Sequence, residues 1–352
     1  MWVRALAPNA LDLVIVVLRV YEVEGIFEKR YSPFSGYPGF AIRGAFGYAL
    51  KKLMCKTDLN ADCKACRYYR SCVYAMIFEP SSLIKPDAEI ARKGGREGVT
   101  RPFTIEVGRA HGGKVSFNVV LMGSALEYEH VVIMAIIGMG FEGLGLDKRL
   151  GERRKFRVNR ITCLDVVQGL RHDVYIEDRG YMLFERPKAN VDLLKFFEDK
   201  AESFVKVRPK ELRLTFKTPT NIRSKGQTLM TPPLRYVIAN LARKYSLLAH
   251  YFGVGKPLRA DEAKVIIQGA QAFSELVSCN VRKMTLKKTS IKGEVKVLGD
   301  FITGTLKYKL DWGAVNEDIA RRIIALLLLG KYIHVGNLTT AGCGEYDIAV
   351  TF

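Results

Sequence analysis

Four cysteines, Cys55, Cys63, Cys66 and Cys72, fall within eighteen residues in the pattern C-x7-C-x2-C-x5-C. Four thiolates at that density can close a tetrahedral shell on zinc, with Cys63 and Cys66 supplied by one tight turn. The segment DLNADCKACRYYRS that carries the middle pair is nearly all polar, so it has little core of its own and gains most from a metal staple. An iron–sulfur cluster uses the same ligands, and disulfides or free thiols need no metal. The expectation is a structural zinc, with the cluster as the alternative. Seven cysteines, odd in number and mostly clustered, suit a reducing cytoplasm better than a disulfide framework. Cys163 and Cys279 sit in apolar, strand-like settings and read as packing residues.

The second set is glycine-based. Gly336, Gly342 and Gly344 follow an apolar helix with the spacing G-x5-G-x-G. Glycines permit positive φ and let backbone amides approach a phosphate with no Cβ between them, which is the RNA-contact reading of this loop; a tight helix-to-strand turn is the alternative. It is not a P-loop, because no lysine followed by serine or threonine trails the last glycine. Five histidines could work as acid or base: His111, His130, His172, His250 and His334. His334 adjoins the glycine loop and is the candidate among them, set against a plain capping role for the same ring.

Charge points to the partner. Lys plus Arg is 55 against 36 Asp plus Glu, a formal +19, and over residues 206–260 twelve basic residues face one acid, Glu211. Such an excess repels itself and is most simply explained by a polyanion, although a generally basic surface would have the same composition. Arg43, Arg223, Lys225, Arg282, Lys283 and Lys287 are the candidate phosphate contacts; alternation in NVRKMTLKK (280–288) puts Arg282 and Lys283 on opposite faces of a strand. The longest apolar run, IIALLLL at 323–329, is far below the ~18 residues of a membrane span. The apolar start of the chain alternates into Arg19 and reads as a buried strand rather than a signal peptide.

The elements that must position these residues repeat. Strand 11–21, a Pro/Gly turn, helix 40–54, strands 74–78, 101–107 and 115–122, helix 127–137 and strand 155–167 make a first unit. Then come a hairpin and short helix (191–204), strand 212–217, helices 231–252 and 261–277, strands across 281–310, helix 316–329 and strand 346–351. Each half reads strand, helix, strands, helix, glycine-rich turn, strand: GMGFEGLG (138–145) closes one helix and HVGNLTTAGCG (334–344) the other. That order is a split β-α-β unit used twice. The fold class is α+β, two tandem ferredoxin-like domains, 1–204 with the cysteine-rich insertion 55–72, and 205–352 with the glycine-rich loop 334–344.

The stretch LLLLGKYIHVGNLTTAGCGEY (326–346) resembles the C-terminal signature of the CRISPR precursor-RNA-processing endoribonucleases of the RAMP superfamily, in which a helix leads through an H-V-G sequence into a second glycine cluster. That family's first cluster usually begins with glycine; His334 stands there instead, as in one branch. FAIRGAFGYALKKLMC, with the cysteines behind it, resembles the same branch's N-terminal signature. The resemblance implies RNA as ligand, with CRISPR repeat RNA cleaved by its own 2′-hydroxyl to a 2′,3′-cyclic phosphate and no catalytic metal. Members of the family carry a histidine in the first helix, with a tyrosine before it and a lysine after. Here Tyr31 precedes the helix and Lys51 and Lys52 end it, but residues 25–55 hold no histidine. His334, Tyr31, Lys51 and Lys52 are therefore the catalytic candidates. The rival expectation is a non-catalytic RAMP subunit that binds guide RNA beside other CRISPR effector subunits.

Overall fold

The computed structural model describes residues 17–83, 98–182, 191–289 and 294–352. The first unit runs β1 (Leu18–Phe27), α1 (Gly39–Met54), α2 (Val73–Phe78), α3 (Pro80–Leu83), β2 (Phe103–His111), β3 (Lys114–Met122), α4 (Glu129–Glu142), β4 (Leu144–Asp147), β5 (Glu152–Arg154), β6 (Phe156–Asp165), β7 (Leu170–Ile176) and β8 (Gly180–Tyr181). Its sheet has the order β2-β3-β1-β6-β7-β8. The second unit runs α5 (Leu193–Val207), β9 (Glu211–Thr220), β10 (Arg223–Ser224), β11 (Gln227–Thr228), α6 (Leu234–Phe252), α7 (Ala260–Phe273), β12 (Ser274–Thr289), β13 (Val295–Leu310), α8 (Glu317–Ile333) and β14 (Tyr346–Thr351). Its sheet has the order β12-β13-β9-β14. In both, the first strand lies between the third and the fourth in chain order, and the described pairings of these sheets are antiparallel. That is the ferredoxin-like arrangement expected from element order.

Each helix is where its apolar spacing puts it. In α1, Ile42, Ala45, Phe46, Ala49 and Leu50 form the buried face against β2, β3 and α4. Asp192 caps α5 by accepting from the amides of Leu194 and Lys195, and Asn316 caps α8 through Ile319. The apolar face of α5 (Leu193, Leu194, Phe197, Ala201, Val205) packs into the core of the second unit, which also takes in Leu18, Val20, Val120 and Met122 from the first sheet. The two units therefore share a continuous apolar junction.

Sequence expectation and structure part at four places. Residues 74–78, read as a strand, are helical: the run is too short for periodicity to decide, and the i, i+4 pair Tyr74 and Phe78 stacks with ring centroids 5.4 Å apart, as only a helix allows. The first strand lies later than 11–21, at Leu18–Phe27, and residues 11–16 of the expected strand are outside the described residues. Helix α7 stops at Phe273 rather than 277, where β12 begins. Among the described residues one helical stretch, Gly123–Glu142, has the length and apolarity to cross a membrane by composition alone, against the expectation of no such span; half of its window is buried inside the fold.

Candidate functional site

The two segments that carry the sequence signatures meet in space. The turn after α8 contains a single 3-10 turn, Thr339–Ala341, which seats against the N-terminus of α1 and the edge of β2. Tyr37 OH donates to Gly342 O at 2.7 Å, and Arg43 Nε donates to Thr340 Oγ1 at 3.1 Å. A Cβ at Gly39 would overlap the carbonyl oxygen of Ala341, and one at Gly342 would overlap Val107 and crowd the Tyr37 hydroxyl. Glycine is needed at those two positions for close approach, and this contact docks one ferredoxin-like unit on the other.

The loop's amides are not available to a phosphate. Gly336 N donates to Asn240 Oδ1 at 2.7 Å, Gly342 N to Thr339 O at 3.0 Å, and Gly344 N to Pro219 O at 3.1 Å. The phosphate-cradle expectation for Gly336, Gly342 and Gly344 gives way to the turn: these glycines are buried and their donors are spent on the fold.

His334 is also turned inward. Its side chain is fully buried, Nδ1 lies 3.2 Å from Cys343 O, and Nε2 has no partner among the described residues. Its backbone has φ 54° and ψ 159°, a conformation suited to glycine and strained by about 1–3 kcal/mol for other residues. A glycine at this position would carry no such strain. Lys244, itself buried, donates from Nζ to His334 O at 2.8 Å. Burial first, then the neighbouring Lys244, pushes the ring's pKa down to about 3. Burial and then Arg243 hold the Lys244 ammonium well below its ordinary range. A buried neutral ring cannot reach an RNA oxygen, so the structure gives His334 the capping role in place of the acid–base role.

The other candidates lie apart from it. Tyr31 follows β1, edges onto Phe27 with centroids 5.6 Å apart, and accepts from Lys155 N at 3.2 Å. Lys52 projects from α1 and pairs with Glu142 at 2.7 Å, still 58 % exposed. Lys51 points the other way, donating to Ala61 O at 3.1 Å in the cysteine loop, with its ammonium 5.7 Å from the Tyr74 ring centroid. Arg43, besides its bond to Thr340, stacks over Phe78 at 4.6 Å, so its guanidinium helps to hold the junction.

Cys55, Cys63, Cys66 and Cys72 line one cavity between the end of α1 and the 3-10 turn Tyr69–Ser71, together with Lys51, Lys56 and Tyr68. Cys55 Sγ lies 3.5 Å from Thr57 O and Cys66 Sγ 4.0 Å from Thr57 Oγ1. Hydrogen bonding to Thr57 lowers the Cys55 thiol pKa, whereas burial raises that of Cys63. Among the described residues no three His, Cys, Asp or Glu side chains gather at metal-binding distance. The thiols share a cavity without closing a tetrahedral shell.

The basic residues divide by element. Strands β12 and β13 pair along their whole length as a long hairpin whose outer half carries Arg282, Lys283 and Lys287, all exposed. Inward, Leu286, Phe301 and Cys343 pack with Tyr37 and Phe40, so the hairpin braces the same junction as the glycine turn. Arg223 and exposed Lys225 lie on the small β10–β11 hairpin, where Lys225 takes φ 47°. Sequence reasoning missed the residue that ties these parts together. Asn221, 4 % exposed, donates from Nδ2 to Thr228 Oγ1 at 2.6 Å and to Asp300 O at 2.7 Å. Its Oδ1 accepts from Asn337 Nδ2 at 2.6 Å, and its carbonyl accepts from Asn337 N at 3.1 Å. Three segments far apart in sequence thus converge on one amide, and no local pattern around Asn221 announces it.

Two family models divide the chain. Residues 18–187 match an N-terminal-domain family, AF_1859_N, and residues 214–346 match the CRISPR-associated endoribonuclease Cas6. None of the curated proteins matches significantly. Among solved structures, a Cas6 (TTHB231) product complex is similar with TM-score 0.53 at 16 % identity, over 94 % of this chain and 100 % of that one. Thermus thermophilus Cas6 (TTHB231) is similar with TM-score 0.52 at 16 % identity, over 95 % and 98 %. A chain of a partial Cas6-RT-Cas1–Cas2 complex reaches TM-score 0.52 at 12 % identity, over 96 % of this chain and 48 % of its own length. At these identities the structures establish a shared fold, while the second unit, from β9 to the start of β14, carries the Cas6 match itself. Residues 214–346 thus match the CRISPR-associated Cas6 endoribonuclease family, on a fold that the chain shares with Cas6 structures over most of its length.

Proposed function

We propose that this chain binds CRISPR precursor RNA and cleaves it within the repeat, without a divalent metal. The observation that carries the reading is that the Cas6 match, residues 214–346, ends on the glycine turn docked against α1. In the reaction the 2′-hydroxyl gives up its proton and its oxygen attacks the adjacent phosphorus. The bond from phosphorus to the 5′-oxygen then breaks and that oxygen takes a proton. The upstream product ends in a 2′,3′-cyclic phosphate and the downstream one in a 5′-hydroxyl. In this reading Tyr31 and Lys52, half-exposed and exposed, orient the RNA and offset phosphorane charge, and Lys51, engaged with the cysteine loop, supports that helix end. The exposed bases of the long hairpin and Lys225 supply phosphate contacts.

Burial of His334 and the lack of histidine over residues 25–55 favour a second reading, a non-catalytic RAMP subunit that binds guide RNA beside other effector subunits. Incubation of the protein with repeat RNA from its own source in EDTA separates the two. The expected result is a single cut leaving a cyclic phosphate; intact RNA after prolonged incubation with folded protein supports the non-catalytic subunit.

The same proposal assigns a structural zinc to Cys55, Cys63, Cys66 and Cys72. Their donor chemistry, four thiols around one cavity beside Lys51 and Lys56, suits a metal that favours sulfur. Elemental analysis is expected to find one zinc per chain and little iron. A Cys63→Ser, Cys66→Ser protein should lose the zinc and melt at lower temperature. Neither metal in carefully prepared protein would overturn the assignment, and iron with visible absorbance would replace zinc by a cluster.

A further inference from the structure

A polar cleft of about 420 Å³ opens between the β10–β11 hairpin and the outer half of the long hairpin, lined by Asn221, Arg223, Gln227, Met230, Lys283, Leu298 and Asp300 among others. Its size falls within the range of small-ligand sites, and one nucleotide fits such a volume. Its shape is set by two devices. The pairing of β12 with β13 slips between Leu286 and Lys287, so that Leu298 is an extra residue, and Gly299 beside it takes φ 104°. A bulge of this kind re-aims neighbouring side chains, and here the bulge residue and Asp300 both line the cleft. Asn221 then fixes the rim by holding Asp300 O, Thr228 Oγ1 and Asn337 at once.

The lining is chemically differentiated. Met230 and Leu298, both half-buried, offer apolar surface. Asp300 accepts from Lys283 Nζ at 2.8 Å and Thr285 Oγ1 at 2.9 Å. Those bonds, the lysine's first, hold its carboxyl below the usual aspartate range, so it is ionised at neutral pH. Its side chain remains 38 % exposed, and each carboxylate oxygen keeps a free lone pair. A carboxylate with an ammonium beside it is thus presented next to an apolar wall.

We infer that this cleft holds one unpaired guanosine of the bound RNA, with the Asp300 carboxylate accepting from the base's N1–H and N2–H and Lys283 donating to O6. Guanine alone among the four bases presents two adjacent N–H donors beside a carbonyl acceptor on its Watson–Crick edge. A single carboxylate and a neighbouring ammonium match that edge in one plane. Met230 and Leu298 cover the base faces, and Arg223, braced by Gly226 O, faces the backbone phosphate. RNA-binding proteins gain sequence specificity by splaying single-stranded bases into sites of this kind. The inference rests on the RNA-binding reading above and adds the identity of the base.

The test uses the full chain and three fluorescent RNA octamers: all uridine, one central guanosine, and one central inosine, which lacks the N2 amino group. The guanosine octamer is expected to bind about tenfold tighter than the uridine octamer, the worth of one good bidentate base contact, with inosine between them. Asp300→Asn, whose amide cannot accept both protons, should erase the preference and leave uridine-octamer affinity within about twofold. Equal affinity of the wild-type chain for all three octamers overturns the assignment without any variant, and so does a guanosine preference that survives Asp300→Asn. Failure of all three octamers to bind at low salt would remove the RNA reading itself, and this inference with it.

Discussion

Arg19→Ala is expected to cost about 3–5 kcal/mol of stability, the typical effect of removing one partner from a buried ion pair. Arg19 is buried in the middle of the first sheet, with Nη1 2.9 Å from Glu129 Oε2 and Nε 3.3 Å from Asp165 Oδ2. Tyr21 OH donates to Glu129 Oε1 at 2.6 Å, and Asp165 accepts from the amides of Val167 and Gln168. The guanidinium therefore joins β1 to the end of β6 and the first residue of α4. Truncation leaves two carboxylates buried at 5 % and 2 % exposure with their main counter-charge gone. Arg19→Met with Glu129→Leu should recover part of the loss, because a well-packed apolar pair avoids the desolvation that a lone charge suffers. Urea unfolding of the three proteins checks this. A single-variant loss under about 1 kcal/mol would show that the remaining carboxylates find water or a proton with little strain.

Arg19 also illustrates how much of this molecule its sequence reveals. As a charge ending an apolar run, it marks the first strand, but its two partners lie 110 and 146 residues away and no local pattern names them. Element order is different. The repeated strand–helix–strands–helix–glycine turn fixes the ferredoxin-like arrangement, because short connections and antiparallel hairpins leave few ways to place those strands. Helix α1 is legible because its apolar face repeats at helical spacing, whereas residues 74–78 are not, since five apolar residues fit a strand or a helix equally. At the site, the spacing of Gly336, Gly342 and Gly344 predicts a tight turn but not its ligand. The amides could cradle phosphate or bond within the chain, and only tertiary placement against Asn240 and Pro219 decides for the second. The cysteine spacing is likewise informative about ligand type and silent about closure. Asn221 and Asp300 are single polar residues whose importance arises wholly from three segments converging on them.

The largest effect on the proposed reaction comes from the RNA. A repeat carrying a 2′-deoxy group at the scissile nucleotide should bind as tightly as the all-RNA repeat and show no cleavage above background, because the attacking oxygen is gone. Cleavage of that substrate would discard the 2′-hydroxyl mechanism. His334→Ala then distinguishes chemistry from bracing. A general acid or base supplies ~10²–10⁴-fold and leaves its pKa in the rate profile. His334 is fully enclosed with its pKa near 3, so the variant should keep the wild-type pH–rate profile, and any fall in rate should follow the fraction of folded protein. Stability should respond where rate does not. The unfolded ring takes a proton below about pH 6.5 and the folded ring resists it. Stability from this group is therefore complete above that pH, and each unit of acidification toward the folded value withdraws up to about 1.4 kcal/mol. His334→Ala removes that slope. His334→Gly removes it too and relieves the strain at φ 54°, so it should be the more stable of the two variants despite the flexibility it adds. A rate loss of ~10² in folded His334→Ala protein, with one limb of the profile abolished, would instead return the ring to the chemistry and require the glycine turn to open when RNA binds.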